Sequence, residues 1–224
     1  MNDQLSFLYE DDATRHLDDI LSLERFQRYL DAANGDRSLA YKLYALNTAI
    51  AEAMFSPIQM LEVALRNRFH AELSKTYGDD WYDQIGVITD VFQRNQIAEA
   101  KLNLVRDRKP IEPGRVVASL SFGFWTSCLG RRYEDMWRRT LRHAFQHAPD
   151  GLTRKRINSP LTRIRLLRNR IAHHEPLLKH NLLDRHDRIV EITGWLSPIA
   201  SDWSKHHCRF SEVYDDDLSK LFRT

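Results

Sequence analysis

Glycine and cysteine are scarce in this chain of 224 residues, which has eight Gly and two Cys. The few glycines form neither a Gly-rich phosphate loop nor a dinucleotide-binding fingerprint, so the sequence argues against these nucleotide-binding classes. Cys128 and Cys208 are far apart and form neither a CxxC pair nor a disulfide-dense pattern. This cysteine usage fits a reducing compartment.

Long apolar runs are absent as well. No window of the sequence approaches the roughly 18 apolar residues that a membrane span requires. The N-terminal MNDQLSFLYEDD has no basic region followed by an apolar one, which a secretory signal would show. We therefore expect a soluble cytoplasmic protein with no membrane partner.

Alternating polar and apolar runs, which predict strands, are also missing, whereas apolar residues recur at helical spacing along most of the chain. A hydrophobic content of 42% with 10% aromatic residues is typical of a folded protein. The sequence therefore predicts an all-α helical bundle. We expect helices over about 14–33, 36–54, 56–77, 90–106, 113–128, 131–145, 161–174 and 181–195, and a break or new helix at Pro198.

Several capping signals set these boundaries. Asn34-Gly35 is expected to close the first helix and Asp36 to cap the second. Ser56-Pro57 predicts a new helix, because Ser favours the N-cap position and Pro the first helical position. Thr89 is the expected cap of the helix that starts at Asp90. The chain is thereby divided into an N-terminal helical hairpin over 1–55, packed on a body over 56–224.

Charge is distributed unevenly although the formal net charge is only +2. Residues 1–36 carry nine acids against three Arg, whereas residues 151–190 carry ten Lys or Arg against three acids. Such a basic surface suits a phosphate backbone. A solvated helical face explains the pattern equally well.

The segment 161–178, LTRIRLLRNRIAHHEPLL, combines an apolar helical stripe with potential catalytic groups. Pro176 disfavours helical geometry at Glu175, which predicts that His173 and His174 occupy the last turn of a helix. Arg168 lies five positions before His173, about 140° around the axis and about 7.5 Å along it. The face expected to be buried consists of Leu161, Ile164, Leu167 and Ile171.

An Arg and a His that reach one phosphodiester are sufficient for RNA cleavage without metal. The imidazole moves a proton near neutral pH, and the guanidinium holds two phosphate oxygens as charge develops on them. If two copies of the helix meet across a two-fold axis, Arg168 and His173 of both chains line one cleft. We therefore expect a homodimer.

The Arg168-Asn169-x3-His173 pattern resembles the Arg-polar-x-x-x-His signature of the HEPN superfamily (higher eukaryotes and prokaryotes nucleotide-binding). The surrounding sequence looks like the Abi-like branch, which comprises abortive-infection proteins of phage defence and related toxins. Four ordered segments carry the resemblance: SPIQMLEVALRNRFHAEL at 56–73, YGDDW at 77–81, SFGFWTSCL at 121–129 and RNRIAHHEPL at 168–177.

The resemblance implies a HEPN-like bundle with additional N-terminal helices and a metal-independent endoribonuclease that acts as a dimer. His173 is expected to act as general base or acid, Arg168 to stabilise the pentacoordinate phosphorane, and Asn169 to position the phosphate or the Arg. Attack by the 2′-OH implies 2′,3′-cyclic phosphate products. RNA-binding residues are expected at Arg66, Asn67, Arg165, Arg170 and His174.

Alternative interpretations remain open at this point. A catalytically silent HEPN module would bind RNA or a partner protein through the same basic surface. A cluster of His at a helix end beside a solvated Arg face needs no function at all. Metal sites built from His173, His174, His180 and His186, or from His206, His207 and Cys208, are disfavoured by their spacing. We expect no metal or other cofactor, and an antitoxin protein is a possible partner.

Overall fold

The computed structural model describes residues 20–221, and every regular element within that range is helical. This confirms the all-α prediction. None of the helices in the described range is long and apolar enough to cross a membrane. The α-helices are α1 (Leu23–Ala32), α2 (Arg37–Tyr77), α3 (Val91–Arg106), α4 (Pro113–Ser119), α5 (Phe122–Ser127), α6 (Glu134–Arg139), α7 (Arg154–Ala172), α8 (Leu182–Leu196), α9 (Pro198–His207), α10 (Phe210–Val213) and α11 (Asp216–Lys220).

The predicted caps around the first loop are confirmed. Asn34 and Gly35 adopt positive φ angles of 51° and 83° directly after α1, as expected for a left-handed helix end. The Asp36 carboxylate accepts a hydrogen bond from the backbone N–H of Leu39 at 3.0 Å. The part of the first predicted helix before residue 20 lies outside the described residues.

The predicted helix start at Ser56-Pro57 is wrong, because α2 runs as one helix of 41 residues with Pro57 inside it. Proline lacks an N–H and therefore leaves the carbonyl four residues earlier, that of Ala53, without its helical donor. The Cys208 thiol donates to this carbonyl at 3.6 Å. The apolar spacing also continues without a break on both sides of Pro57, through the buried Leu43, Leu46, Ile50, Met54, Leu61, Leu65, Phe69 and Leu73.

Three further boundaries differ from the prediction. The expected helix over 113–128 is divided at Ser121, whose hydroxyl caps α5 by accepting from the N–H of Phe124 at 3.2 Å. The expected helix over 131–145 is interrupted at Thr140, which has non-helical dihedrals and whose hydroxyl hydrogen-bonds the Thr76 hydroxyl at 3.3 Å. Asp90, not Thr89, caps α3. Ser121 and Asp90 each offer a nearby backbone N–H a local acceptor that competes with helix continuation. Thr140 instead bonds the side chain of a distant residue.

Helix α7 begins at Arg154, seven positions earlier than the predicted Leu161. The Thr153 hydroxyl accepts from the N–H of Arg156 at 3.3 Å and caps the first turn. Pro160 lies inside the helix. Its neighbours Ile157 and Leu161 are fully buried, so packing of the apolar face holds the two halves in one helix.

The chain divides into two compact units. In the described range, the first unit contains residues 20–56, 170–186 and 208–221, and the second contains 57–169 and 187–207. The division crosses α7 between Asn169 and Arg170. The N-terminal hairpin over 1–55 stays a prediction, since residues 1–19 are outside the described range.

Aromatic side chains fill the interior of each unit. In the first, the ring centroids of Phe26 and Tyr41 are 4.6 Å apart. In the second, Trp125 packs edge-on against Phe124 at 5.1 Å and against Trp81 at 5.9 Å. These buried rings supply the apolar surfaces that fix the amphipathic helices.

The first unit contains a buried hydrogen bond that holds the segment after α7. Asn47 is 6% exposed, and its side-chain oxygen accepts from the backbone N–H of Leu177 at 2.6 Å. A buried donor without an acceptor costs free energy, because it loses its bond to water and gains none. The position of the chain beyond His174 therefore depends on this amide.

We expect Asn47→Ala to lower the free energy of unfolding by about 1–3 kcal/mol, because it leaves the Leu177 N–H unpaired. The measurement is urea unfolding of the intact chain followed by circular dichroism. The control is Thr48→Ala at the next, exposed position, expected to change stability by less than about 0.5 kcal/mol. Equal midpoints for the two variants would show that the amide does not hold the segment.

Candidate functional site

Helix α7 carries seven basic residues and no acidic one. The helix belongs to the second unit up to Asn169. Along this part, the side chains of its inner face are between 0% and 3% exposed. With this face buried, the cations are directed to the flanks and the outer side of the helix. These side chains are those of Ile157, Leu161, Ile164 and Leu167, and Pro160 is buried as well.

Arg168 contacts a single carboxylate in the described part of the chain, that of Glu62 on α2. The Arg168 Nε lies 3.8 Å from the Glu62 Oε2, and the two side chains are 43% and 24% exposed. A contact of this length between partly exposed groups is a weak ion pair. The Arg168 guanidinium is therefore available to a stronger anion, such as a phosphate.

Glu62 is a residue of the site that the sequence motifs do not indicate. It precedes Arg66 by four positions on α2, so the two side chains lie on the same side of that helix, one turn apart. Glu62 contacts Arg168, which lies near the end of the part of α7 that belongs to the second unit. The side of α2 that carries Arg66 therefore lies beside this part of α7. In the sequence, the spacing of four positions between Glu62 and Arg66 is the feature that could have indicated Glu62.

The other predicted binding residues of the second unit differ in their surroundings. Arg66 donates from Nε to the side-chain oxygen of Asn67 at 3.2 Å, and Asn67 is exposed. Arg165 lies against Gly123. A Cβ added to Gly123 would stand 3.8 Å from the Nη1 of Arg165. Its Nε is buried and has no partner within residues 20–221. Asn169 is exposed beside Arg168.

His70, four positions after Arg66 on α2, has a structural role. The Trp81 indole N–H donates to His70 Nδ1 at 3.0 Å, which fixes the neutral tautomer protonated at Nε2. Burial lowers the pKa of His70. The imidazole thus connects α2 to the Tyr77–Trp81 turn.

In the first unit, α7 ends in a left-handed turn made by a histidine. The N–H of Glu175 donates to the carbonyl of Arg170 at 2.9 Å, and the N–H of His174 donates to that of Ile171 at 3.1 Å. His174 has φ of 55°. These features define a Schellman motif, in which the left-handed position is usually glycine.

The prediction that both histidines occupy the last helical turn is therefore wrong. Helix α7 ends at Ala172, His173 takes the C-cap position and His174 the left-handed position after it. Glu175, which precedes Pro176, is not helical, as expected. The helix already ends before this position, at Ala172. Both imidazoles are exposed. His173 is thus presented to solvent directly after the last residue of the helix.

Arg170 is less available than predicted. Its Nη1 donates to the Glu175 carboxylate at 2.8 Å, across the left-handed turn. The same two residues are also joined by the backbone hydrogen bond of the Schellman motif, from the Glu175 N–H to the Arg170 carbonyl. We interpret Arg170 as a residue that stabilises this turn.

His180 is a second residue whose surroundings the sequence did not predict. Its Nε2 is buried and has no hydrogen-bond partner in the described range. Burial lowers the pKa of His180, as do the positive charges of Arg170, Lys179 and Arg185. A histidine with a lowered pKa is mainly neutral at pH 7. The buried imidazole of His180 is therefore harder to protonate than a solvent-exposed one.

Other chemistries have little support in the described residues. Residues 20–221 contain no group of three His, Cys, Asp or Glu side chains placed to hold one metal ion. Cys128 is fully buried, and burial raises the pKa of its thiol to about 12. A thiol with such a pKa is not a nucleophile at neutral pH.

We expect His174→Gly to be more stable than His174→Ala by about 1 kcal/mol, since glycine adopts positive φ without a Cβ penalty. Urea unfolding of both variants measures the difference. His173, which does not have a positive φ, provides the matched control. There the order should reverse, with His173→Ala more stable than His173→Gly. The same order at both positions would contradict the left-handed turn.

The chain was compared with known proteins by sequence and by structure. No protein-family model matches it, no curated protein is similar to it in sequence, and no solved structure matches its fold.

Proposed function

We propose that this chain is a metal-independent endoribonuclease of the HEPN type. The observation that carries the proposal is the end of α7, where a weakly paired Arg168 is followed five residues later by the exposed His173 at the C-cap. An exposed imidazole beside a basic helix can exchange protons with a bound nucleic acid. A histidine cluster with only a structural role would require neither the exposed imidazole nor the weakly held guanidinium.

The proposed reaction is transesterification within the RNA strand. His173 accepts the proton of a ribose 2′-OH, the 2′-oxygen forms a bond to the adjacent phosphorus, and the bond to the 5′-oxygen breaks. A protonated imidazole supplies the proton of the leaving 5′-OH. The products are a 2′,3′-cyclic phosphate and a free 5′-OH, so DNA, which has no 2′-OH, is not cleaved.

Arg168 stabilises the extra negative charge of the phosphorane, and Asn169 positions the phosphate or the guanidinium. Within the described residues of the free protein, the only carboxylate that Arg168 meets is the distant one of Glu62. A phosphate accepts two hydrogen bonds from a guanidinium and displaces such a partner. The flanking nucleotides are bound by Arg66, Asn67, Arg165, Arg170 and His174.

The active form is a two-fold dimer. An in-line displacement needs one group at the attacking oxygen and another at the leaving oxygen, and a single copy supplies only one histidine of the signature. Two copies of α7 place two Arg168 and two His173 around one phosphate. Four cations from positions 168 and 170 then repel each other, so apolar contacts outside the cleft hold the dimer together.

We assign this activity to phage defence by abortive infection, or to a toxin that an antitoxin protein restrains, in the cytoplasm. The resemblance to Abi-like proteins supports this assignment, and the seven cations of α7 fit an RNA substrate. The second candidate is a catalytically silent module that binds RNA or a partner through the same helix. Arg170 is half-buried and His174 is exposed, and both lie beside Arg168 and His173 in the sequence. These positions are compatible with the endoribonuclease and with the silent binding module.

We expect the purified protein to cleave single-stranded RNA in EDTA, because Arg168 and His173 supply the charge and the proton transfer. The 3′ ends should carry cyclic phosphate, as detected by mass spectrometry. His173→Ala should reduce the rate by about 10²–10⁴ and leave RNA affinity nearly unchanged. His206→Ala, another exposed histidine, serves as the control. Wild-type rates in His173→Ala would support the silent module instead.

A complementation experiment tests the dimer. Chains with Arg168→Ala and chains with His173→Ala are mixed under conditions that allow subunit exchange, and cleavage is measured in the mixture. Composite sites should restore part of the activity, because one Arg and one His come from different chains. Two Arg168→Ala preparations mixed with each other are the control. A fully active monomer, measured by light scattering at the assay concentration, would disprove the shared cleft.

A further inference from the structure

The second unit contains a charged recess at the start of α7, separate from Arg168. It has a volume of about 700 Å³. Four of its six lining side chains are cations and one is an acid. None is an apolar residue, which distinguishes it from a pocket for a small hydrophobic ligand. The lining residues are Arg131, Glu134, Arg138, Arg154, Lys155 and Asn158.

The single acid of the recess is already occupied. Glu134 accepts from Arg154 Nε at 2.6 Å and from Arg138 Nε at 3.3 Å. The hydrogen bond from Arg154 is the main cause that lowers the pKa of Glu134, so this carboxylate is ionised at neutral pH. Arg154 is only 12% exposed and also donates to the Leu129 carbonyl at 2.5 Å. Arg154 and Glu134 thus form the fixed wall of the recess.

Two cations of the recess, Arg131 and Lys155, have no counter-charge within residues 20–221. Arg131 and Lys155 are exposed and have no acidic partner in the described part of the chain. Arg138 shares Glu134 with Arg154. With four cations and one acid, the recess carries a net charge of +3, an arrangement that favours a phosphate group.

A polar stripe on α7 connects the recess to Arg168. Arg154 and Arg168 are separated by 14 positions, which on an α-helix is about 21 Å along the axis and within about 40° around it. The residues of the stripe recur at spacings of three and four, are all half-buried, and include no acid. They are Arg154, Asn158, Thr162, Arg165 and Arg168.

We propose that the recess is a second RNA-binding site, which holds a backbone phosphate of a single-stranded RNA several nucleotides from the phosphate bound by Arg168. This inference rests on the proposed function for the identity of the ligand. An RNA strand fits better than an acidic protein segment, because a polar stripe that includes no acid and ends in Arg165 and Arg168 leads from the recess to the candidate catalytic arginine. Its side chains can donate hydrogen bonds to phosphate and sugar oxygens along a strand.

The test measures RNA binding, not cleavage, so that it does not depend on catalysis. A fluorescein-labelled oligouridine of about 20 nucleotides, longer than a typical single-strand site, is titrated into the full-length His173→Ala chain. The recess variant adds Arg131→Gln and Lys155→Gln, which break no ion pair in the described range. The matched control adds Arg106→Gln and Arg156→Gln, two exposed cations outside the recess.

We expect the recess variant to bind RNA about tenfold more weakly and the control to bind within twofold of the parent. The slope of log K against log salt should become less steep by about 0.7 for each phosphate that the variant no longer binds. Equal affinities of the recess and control variants would overturn the proposal while leaving the endoribonuclease proposal intact. If only the recess variant binds RNA more weakly and the chain with His173 intact cleaves no RNA, the result would support the recess as an RNA site and contradict the endoribonuclease proposal.

Two further outcomes also decide the question. If the chain binds no RNA at all, the recess is not an RNA site. If polyglutamate of the same charge binds the recess as tightly as the oligouridine and the salt slope is unchanged in the variant, the recess accepts acidic protein segments and the proposal is wrong. Melting curves by circular dichroism verify that all variants are folded.

Discussion

The burial of one face of α7 fixes the directions of all the cations on that helix. Ile157, Leu161, Ile164 and Leu167 are almost completely inaccessible to solvent, and each contributes about 1.5–3 kcal/mol by its removal from water. A rotation of the helix that brought a cation inward would expose part of this face and bury a charge. The apolar stripe therefore determines which basic side chains reach a ligand, although none of its members contacts one.

The end of α7 is determined by a different constraint, the left-handed turn at His174. A non-glycine residue in this conformation costs about 1–2 kcal/mol, so surrounding interactions must maintain it. Two backbone hydrogen bonds, the Arg170–Glu175 pair and the anchoring of Leu177 by Asn47 provide them. The consequence is that His173 stands at the C-cap, directly after the helix, with its imidazole in solvent. Strain next to a candidate catalytic residue is consistent with a functional role.

Sequence patterns predicted the class of the fold and failed where local signals competed with packing. The Asp36 cap was predicted correctly because Asp36 follows the left-handed turn of Asn34 and Gly35, so no helix could continue through it. The proline signal at Pro57 was misleading. A proline inside a helix costs about 3 kcal/mol, whereas the burial of apolar residues on both sides of Pro57 gains more than that. Only the tertiary structure shows that this face is buried continuously.

For the candidate site, the sequence identified the cations but not the acids that meet them. Glu62 is more than a hundred positions from Arg168, and Glu134 is 20 positions from Arg154, so neither pairing follows from helical spacing. These pairings change the interpretation of the basic helix. Arg154 is held by a short bond and has a structural role, whereas Arg168 is held by a long one and is free to exchange partners.

The difference between these two arginines shows how the charge of a helix without acidic residues is partly neutralised. The repulsion within α7 is reduced at Arg154 by a permanent carboxylate and at Arg168 by a replaceable one, while Arg163 and Lys155 are screened by solvent. Under the proposed function, a polyanion bound along the polar stripe would reduce the remaining repulsion and replace the Glu62 contact with a stronger one. The charge that is not neutralised within the protein would then favour binding.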